Sequence, residues 1–204
     1  MTGLHPSLVA LRQVIADHVA AHQPDILAFC GPALGDDLPT RAMVARRGPA
    51  TALVEALDAE TSATTRPVVD AVRQASPHVV WRQSYTDKDP GFDAAYLRNY
   101  GWFNLIAPSG PFISNALRLS VGFWGRGLRY PRHWHSPEEI YLVLAGRAVF
   151  VSEGRADVDG GPGTTIAHDS NQPHAARMPD APLLAAAFWR GDQLEAKSGL
   201  EGGS

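Results

Sequence analysis

Four side chains in this sequence have the types and spacing to hold a metal ion beside a titratable group. In the stretch GLRYPRHWHSPEEIYLVLAG, residues 127–146, His133 and His135 stand two apart, Glu139 follows, and Tyr141 lies two beyond it. Residues at even separations along an extended strand point to one face. An extended segment here therefore brings two imidazoles, a carboxylate and a phenol together. A phenol ordinarily loses its proton near pH ~10. A neighbouring dication favours the phenolate and makes it a ligand or a general base. A His-x-His pair by itself also occurs at surface turns. The glutamate downstream and the framing by Gly127 and Gly146 set this pair apart.

A fourth ligand candidate, His174, ends the stretch GTTIAHDSNQPH over residues 163–174. It follows the turn residues Asp169, Ser170, Asn171 and Pro173 and can meet the first three across an antiparallel barrel. His168 competes with it, but falls where the chain should turn and is assigned to the surface. Glu138 points away from Glu139 and reads as solvated. Tyr130, just before His133, can approach the same pocket, although Pro131 breaks the regularity that would fix its direction. His5, His18, His22 and His78 have no partner at ligand spacing and read as structural or exposed. Three imidazoles and a carboxylate suit one divalent transition ion, Zn²⁺ or Fe²⁺ first, with Mn²⁺, Co²⁺ and Ni²⁺ also compatible. Such a set leaves room for water or substrate. Trp102, Trp124, Trp134 and Trp189 read as core or rim residues, and aromatic faces can also hold a sulfonium or ammonium group.

The elements that must position these groups change character near residue 77. Before it, Leu8, Leu11, Ile15 and Val19 recur at helical steps, and short helices are expected over 26–30, 50–59 and 65–75. After it, short apolar runs punctuated by Gly, Pro and Asp predict strands over 78–85, 100–107, 116–124, 139–144, 148–152, 155–158, 164–167, 175–178 and 183–190. Lys88 to Asn99 reads as a loop with a short helix. The pattern predicts an α+β fold, with an N-terminal helical extension over 1–76, an antiparallel barrel over 77–195 and a disordered tail over 196–204.

Bulk properties narrow the function classes. The chain has 204 residues, 45% hydrophobic and 19% charged, with a formal net charge of −3. No basic run suggests nucleic acid or an acidic membrane as partner, and no apolar run approaches the ~20 residues of a bilayer span. Residues 1–6 lack the pattern of a signal peptide. Cys30 is the single cysteine, which excludes an intrachain disulfide and a thiolate-rich zinc site and fits a cytoplasmic protein. A monomer or homodimer acting on a small molecule is expected.

At these residues the chain resembles the cupins. Gly127, His133, His135, Glu139 and Gly146 match the first cupin motif, G-x5-H-x-H-x3-E-x6-G, without a gap. The second motif, G-x5-P-x-G-x2-H-x3-N, is matched at Gly163 and His174. Asp169, Asn171 and Met178 stand in for its proline, glycine and asparagine, and Asn still permits a left-handed turn. A narrower resemblance is to the cupin-type dimethylsulfoniopropionate (DMSP) lyases. It rests on Tyr130, the two histidines, Glu139 and Tyr141, on the segment from Pro108 to Phe112, and on the helices preceding the barrel. The resemblance implies a jelly-roll barrel in which His133, His135, Glu139 and His174 bind the metal, Tyr141 acts as catalytic base and Tyr130 lines the substrate site. It implies β-elimination of dimethyl sulfide from DMSP to leave acrylate. The loop-like composition of the Asp87–Gly110 region separately suggests a closure that excludes water. Two other readings use the same residues. One is an Fe²⁺ dioxygenase of cupin type. The other is a lyase-like cupin that acts on or binds another small carboxylate.

Overall fold

The computed structural model describes residues 3–35 and 37–202. Its helices come first. α1 (Pro6–His22) buries Leu8, Leu11, Ile15 and Val19 on one face, as their spacing predicts. α2 (Pro24–Cys30), α3 (Pro49–Glu55) and α4 (Arg66–Ala75) follow, each with proline in its first turn, where the missing N–H is not needed. α4 buries Val68, Val69, Val72 and Ala75 and packs against α1 and the barrel. The strand expected over 78–85 does not form. Ser76–His78 is a 3₁₀ turn, after which only single-residue bridges join Val80 to Arg46 and Arg82 to Trp102. Its partners lie in two different segments, and no ladder develops. The expected short helix is α5 (Ala94–Arg98).

Ten strands complete the chain among the described residues: β1 (Tyr100–Ile106), β2 (Arg118–Trp124), β3 (Arg129–Trp134), β4 (Glu138–Gly146), β5 (Ala148–Ser152), β6 (Val158–Gly160), β7 (Thr165–His168), β8 (His174–Arg177), β9 (Leu183–Arg190) and β10 (Gly199–Leu200). They form two five-stranded antiparallel sheets, ordered β1-β2-β9-β4-β7 and β10-β3-β8-β5-β6. This is the helices-beside-barrel α+β architecture predicted above. The first sheet is buried on both faces, which is why β4 and β9 read as nearly continuous apolar runs. Ile140, Leu142 and Leu144 face the helices and join their core. Tyr141 and Val143, at the alternate positions, belong to a second core inside the barrel. No described helix is long and apolar enough to cross a membrane.

Three local outcomes bear on the site. The tail expected over 196–204 is ordered where it is described: Gly199 and Leu200 pair with Trp134 and His133. Gly203 and Ser204, like Met1 and Thr2 of the segment read for a signal peptide, lie outside the described residues. Asn171 adopts φ 58°, the left-handed turn that its place in the motif requires. Gly146 has φ 73°, and a Cβ there would lie 1.7 Å from the Pro182 carbonyl oxygen. We expect Gly146→Ala to lower the unfolding free energy by roughly 2–4 kcal/mol, since it adds both left-handed strain and a backbone clash. A denaturation midpoint unchanged from the parent protein would refute this.

Candidate metal centre and adjoining cavity

The four expected ligands meet inside the barrel. His133 on β3 stands in register opposite His174 on β8, His135 follows the end of β3, and Glu139 is the second residue of β4. All four are buried. Ligand atoms of His133, His135 and His174 lie within 4.8 Å of one another. Glu139 Oε2 is 3.3 Å from His135 Nε2 and 3.3 Å from His174 Nε2.

The backbone settles which nitrogen of each ring is available. Nδ1 of His133 faces the Pro131 carbonyl oxygen at 2.8 Å, Nδ1 of His135 that of Pro137 at 2.9 Å, and Nδ1 of His174 that of Gln172 at 2.8 Å. A carbonyl only accepts, so each Nδ1 must carry the hydrogen, and each neutral ring turns the Nε2 lone pair inward. Nε2 of His135 and of His174 is buried with no hydrogen-bond partner. Two lone pairs aimed at a carboxylate repel it unless a cation joins them. The residues present therefore fit a divalent metal ion.

His168 requires a correction. Expected at the surface, it is 2% exposed. Its Nδ1 lies 3.1 Å from Glu139 Oε2 and its Nε2 lies 3.1 Å from the Ser152 hydroxyl. The ring stacks on His174 with centroids 3.9 Å apart. Its turn begins one residue later than the sequence suggested, and His168 is the last residue of β7, in register with Glu139. The parity it shares with buried Ile166 is the signal that would have found it. Trp189, read as core or rim, donates its indole N–H to Glu139 Oε1. Glu138 faces outward and pairs with Arg190.

Charge inside the site is finely opposed. Burial pushes the Glu139 carboxyl upward, but the surrounding His135, His168 and His174 outweigh it and hold the group well below the usual carboxylate range. Burial, reinforced by His174, holds His133 well below the ordinary imidazole value, and burial also lowers His168. In the metal-free protein the unfolded chain binds protons on these histidines below about pH 6.5 while the folded chain resists them. Their stabilisation is present above that pH and is lost on acidification, at up to ~1.4 kcal/mol per pH unit per group. The low-lying Glu139 adds a loss of the same sign at lower pH. We expect the denaturation midpoint of the metal-free protein to fall steadily from about pH 7 to pH 5; a flat profile would contradict this balance.

A cavity of about 330 Å³ adjoins the site. Its floor is one face of the first sheet, and register explains its shape. Across β2, β9 and β4 stand the rows Arg118–Trp189–Glu139 and Ser120–Ala187–Tyr141. The small Ser120, Gly122 and Ala187 leave the void, while Tyr100, Trp102 and Asn104 of β1 wall it. Trp102, Trp124 and Trp189 line this space, whereas Trp134 is partly exposed and packs against Gly199. Residues 195–198 also line the cavity. Lys197 reaches Asp89 at 2.7 Å, and Glu195 accepts from Ser109. The Asp87–Gly110 region thus meets the C-terminal segment beside the cavity.

All five tyrosines of the chain (Tyr85, Tyr96, Tyr100, Tyr130 and Tyr141) belong to the aromatic core inside the barrel. The Tyr130 ring lies 4.1 Å from that of His133. Tyr141 lies 5.8 Å from His168 and 6.3 Å from Trp124 by ring centroids. Burial, and then the charge of Glu139, raise the Tyr141 phenol well above its ordinary value; burial and the neighbouring phenols do the same to Tyr130. Without a nearby cation both stay neutral, and a cation beside Glu139 is what would reverse that balance for Tyr141.

Comparison with known proteins places the chain in a family. A family model described as dimethylsulfoniopropionate lyase matches residues 30–185. The dimethylsulfoniopropionate lyase DddQ of Ruegeria pomeroyi is 35% identical over 185 residues, which cover 90% of each chain. A chain from the crystal structures of the DMSP lyases RdDddP and RnDddQII superposes with a TM-score of 0.90 at 35% identity, covering 96% of this chain and 98% of that one. The crystal structure of DddQ from Ruegeria pomeroyi DSS-3 gives 0.82 at 35% identity, covering 94% and 95%.

Proposed function

The chain belongs to the dimethylsulfoniopropionate lyase family, and from that premise we propose that it cleaves DMSP to dimethyl sulfide and acrylate with the aid of one divalent transition ion, Zn²⁺ or Fe²⁺. The observation that carries this reading is the placement of Tyr141 beside Glu139 on the inward face of β4, where both line the same cavity. His133, His135, Glu139 and His174 would hold the ion, with His168 orienting the carboxylate of Glu139. When bound, the ion supplies a positive charge that favours the Tyr141 phenolate and polarises a substrate carboxylate.

DMSP carries its sulfonium on the β-carbon, and the hydrogen to be removed is on the α-carbon beside the carboxylate, where a cation polarising that carboxylate would favour its loss. The Tyr141 oxygen removes that proton. The released electron pair forms the new carbon–carbon double bond, and the carbon–sulfur bond breaks with its electrons going to sulfur. Dimethyl sulfide leaves as a neutral molecule, so the leaving group needs no proton donor. Tyr130 lines the cavity beside His133 and bounds the substrate. The segment 195–198, which also lines the cavity, restricts water. The test is to load the purified protein separately with Zn²⁺, Fe²⁺, Mn²⁺, Co²⁺ and Ni²⁺, add DMSP, and measure dimethyl sulfide in the headspace. Turnover with at least one ion is expected, and none with any of them ends this reading.

A further inference from the structure

Arg118 is the unusual charge of this cavity. It lies on β2, is 8% exposed, and lines the cavity wall. Its Nε donates to Asn104 Oδ1 at 3.0 Å and its Nη1 to the Leu194 carbonyl oxygen at 3.0 Å. Its planar group is sandwiched between Trp102, 4.6 Å from the ring centroid, and Trp189, at 4.3 Å. Among the described residues no carboxylate pairs with it, and Nη2 makes no hydrogen bond. Arg82 also approaches this tryptophan, 6.0 Å from the Trp102 centroid. It also lines the cavity, has no carboxylate partner among the described residues, and has a buried Nε without a hydrogen bond.

A buried guanidinium without a counter-ion is costly. The two bonds that Arg118 makes would be served equally by a neutral donor, so structure alone does not call for its charge. The other cation of the wall, Lys197, is already paired with Asp89. Of the wall's carboxylates, Glu195 is held by Ser109 and Glu139 by Trp189 and His168. Glu139, across Trp189 in the same row, favours the charge of Arg118 without touching it, and a divalent ion held by Glu139 would take up that negative charge and leave this end of the cavity positive. The opposite wall offers the faces of Tyr100, Trp124 and Tyr130, which attract cations.

We propose that Arg118, assisted by Arg82, grips the substrate's carboxylate alongside the ion, so that a zwitterion enters with its carboxylate toward the Arg118–Glu139 end of the cavity and its onium group toward the phenols. This rests on the lyase reading for the identity of the zwitterion, but the anion site itself does not. A free Nη2 beside an anchored Nε and Nη1 presents a donor in fixed orientation, able to give a carboxylate a charge-assisted hydrogen bond. The same charge repels an onium group placed the wrong way round and so selects the orientation that Tyr141 requires.

The test uses metal-loaded protein with acrylate and acrylamide, which share a shape and differ in charge, as binding probes followed by calorimetry. DMSP kinetics are measured in parallel. The parent protein is expected to prefer acrylate. Arg118→Gln should weaken acrylate by about tenfold or more, leave acrylamide unchanged, and raise KM for DMSP much more than it lowers kcat. Arg118→Lys should recover part of the preference. Equal losses for acrylate and acrylamide in Arg118→Gln, or an unchanged acrylate affinity, would overturn the proposal. Should Arg118→Gln fail to fold, Arg82→Gln decides, since that side chain is only half-buried: an undiminished preference for acrylate refutes the site. A parent protein that prefers acrylate yet releases no dimethyl sulfide would sink the lyase reading and leave the anion site standing.

Discussion

Tyr141→Phe should reduce dimethyl sulfide release by about 10²–10⁴-fold, the range for loss of a positioned general base, while bound metal and thermal midpoint stay near those of the parent. The substitution removes one oxygen from a ring that packs against Trp124 and Phe150. It keeps the ring's volume, so the barrel core need not rearrange. KM should move little, because the phenol acts on the proton transferred in the reaction more than on the bound substrate. Tyr130→Phe is the control, since its ring bounds the cavity from β3, and its effect should fall mainly on KM. Full activity in Tyr141→Phe with metal retained would remove the tyrosine mechanism and leave the family assignment intact.

The second large effect separates the two histidines that stack on each other. His174→Ala should abolish tight metal binding and activity together, because it deletes an inward Nε2 whose Nδ1 is fixed by the Gln172 carbonyl. His168→Asn should leave a metal-binding protein with affinity weakened about 10–100-fold, as expected when the partner of a ligand is lost. The physical distinction lies in what each nitrogen faces. Both nitrogens of His168 are engaged, by Glu139 and Ser152, whereas Nε2 of His174 has no hydrogen-bond partner. Metal content per chain after dialysis is the measurement. Retention in His174→Ala with loss in His168→Asn would exchange their roles.

Much of the site is legible in the chain because it is local. The parity of β4 puts Glu139 and Tyr141 on one face, and the following Ile140, Leu142 and Leu144 on the face that meets the helices. His133 and His135 bracket a short extended segment, and proline on either side supplies the carbonyls that orient their rings. The helical spacing of Leu8, Leu11, Ile15 and Val19 predicts the buried face of α1. Each of these depends on residues a few positions apart, where backbone geometry is nearly determined by residue type.

The rest depends on pairing between distant segments, which no local rule supplies. His168 enters the site through the register of β7 against β4, and Trp189 through that of β9. Segment 78–85 has strand composition but finds only isolated bridges, while the Gly-rich end of the chain becomes ordered because Gly199 and Leu200 find β3. Arg118 falls within the strand expected over 116–124, and nothing local marks it. Its burial between two tryptophans without a carboxylate partner exists only once β1, β2 and β9 lie side by side. The sequence by itself determined the candidate ligand types, the common face of Glu139 and Tyr141 and the α+β order of elements, since these follow from the two-residue and 3.6-residue periods of the backbone. The tertiary structure alone decided which groups are desolvated and which are left without partners, because burial and electrostatic balance are properties of the assembled barrel and not of any segment.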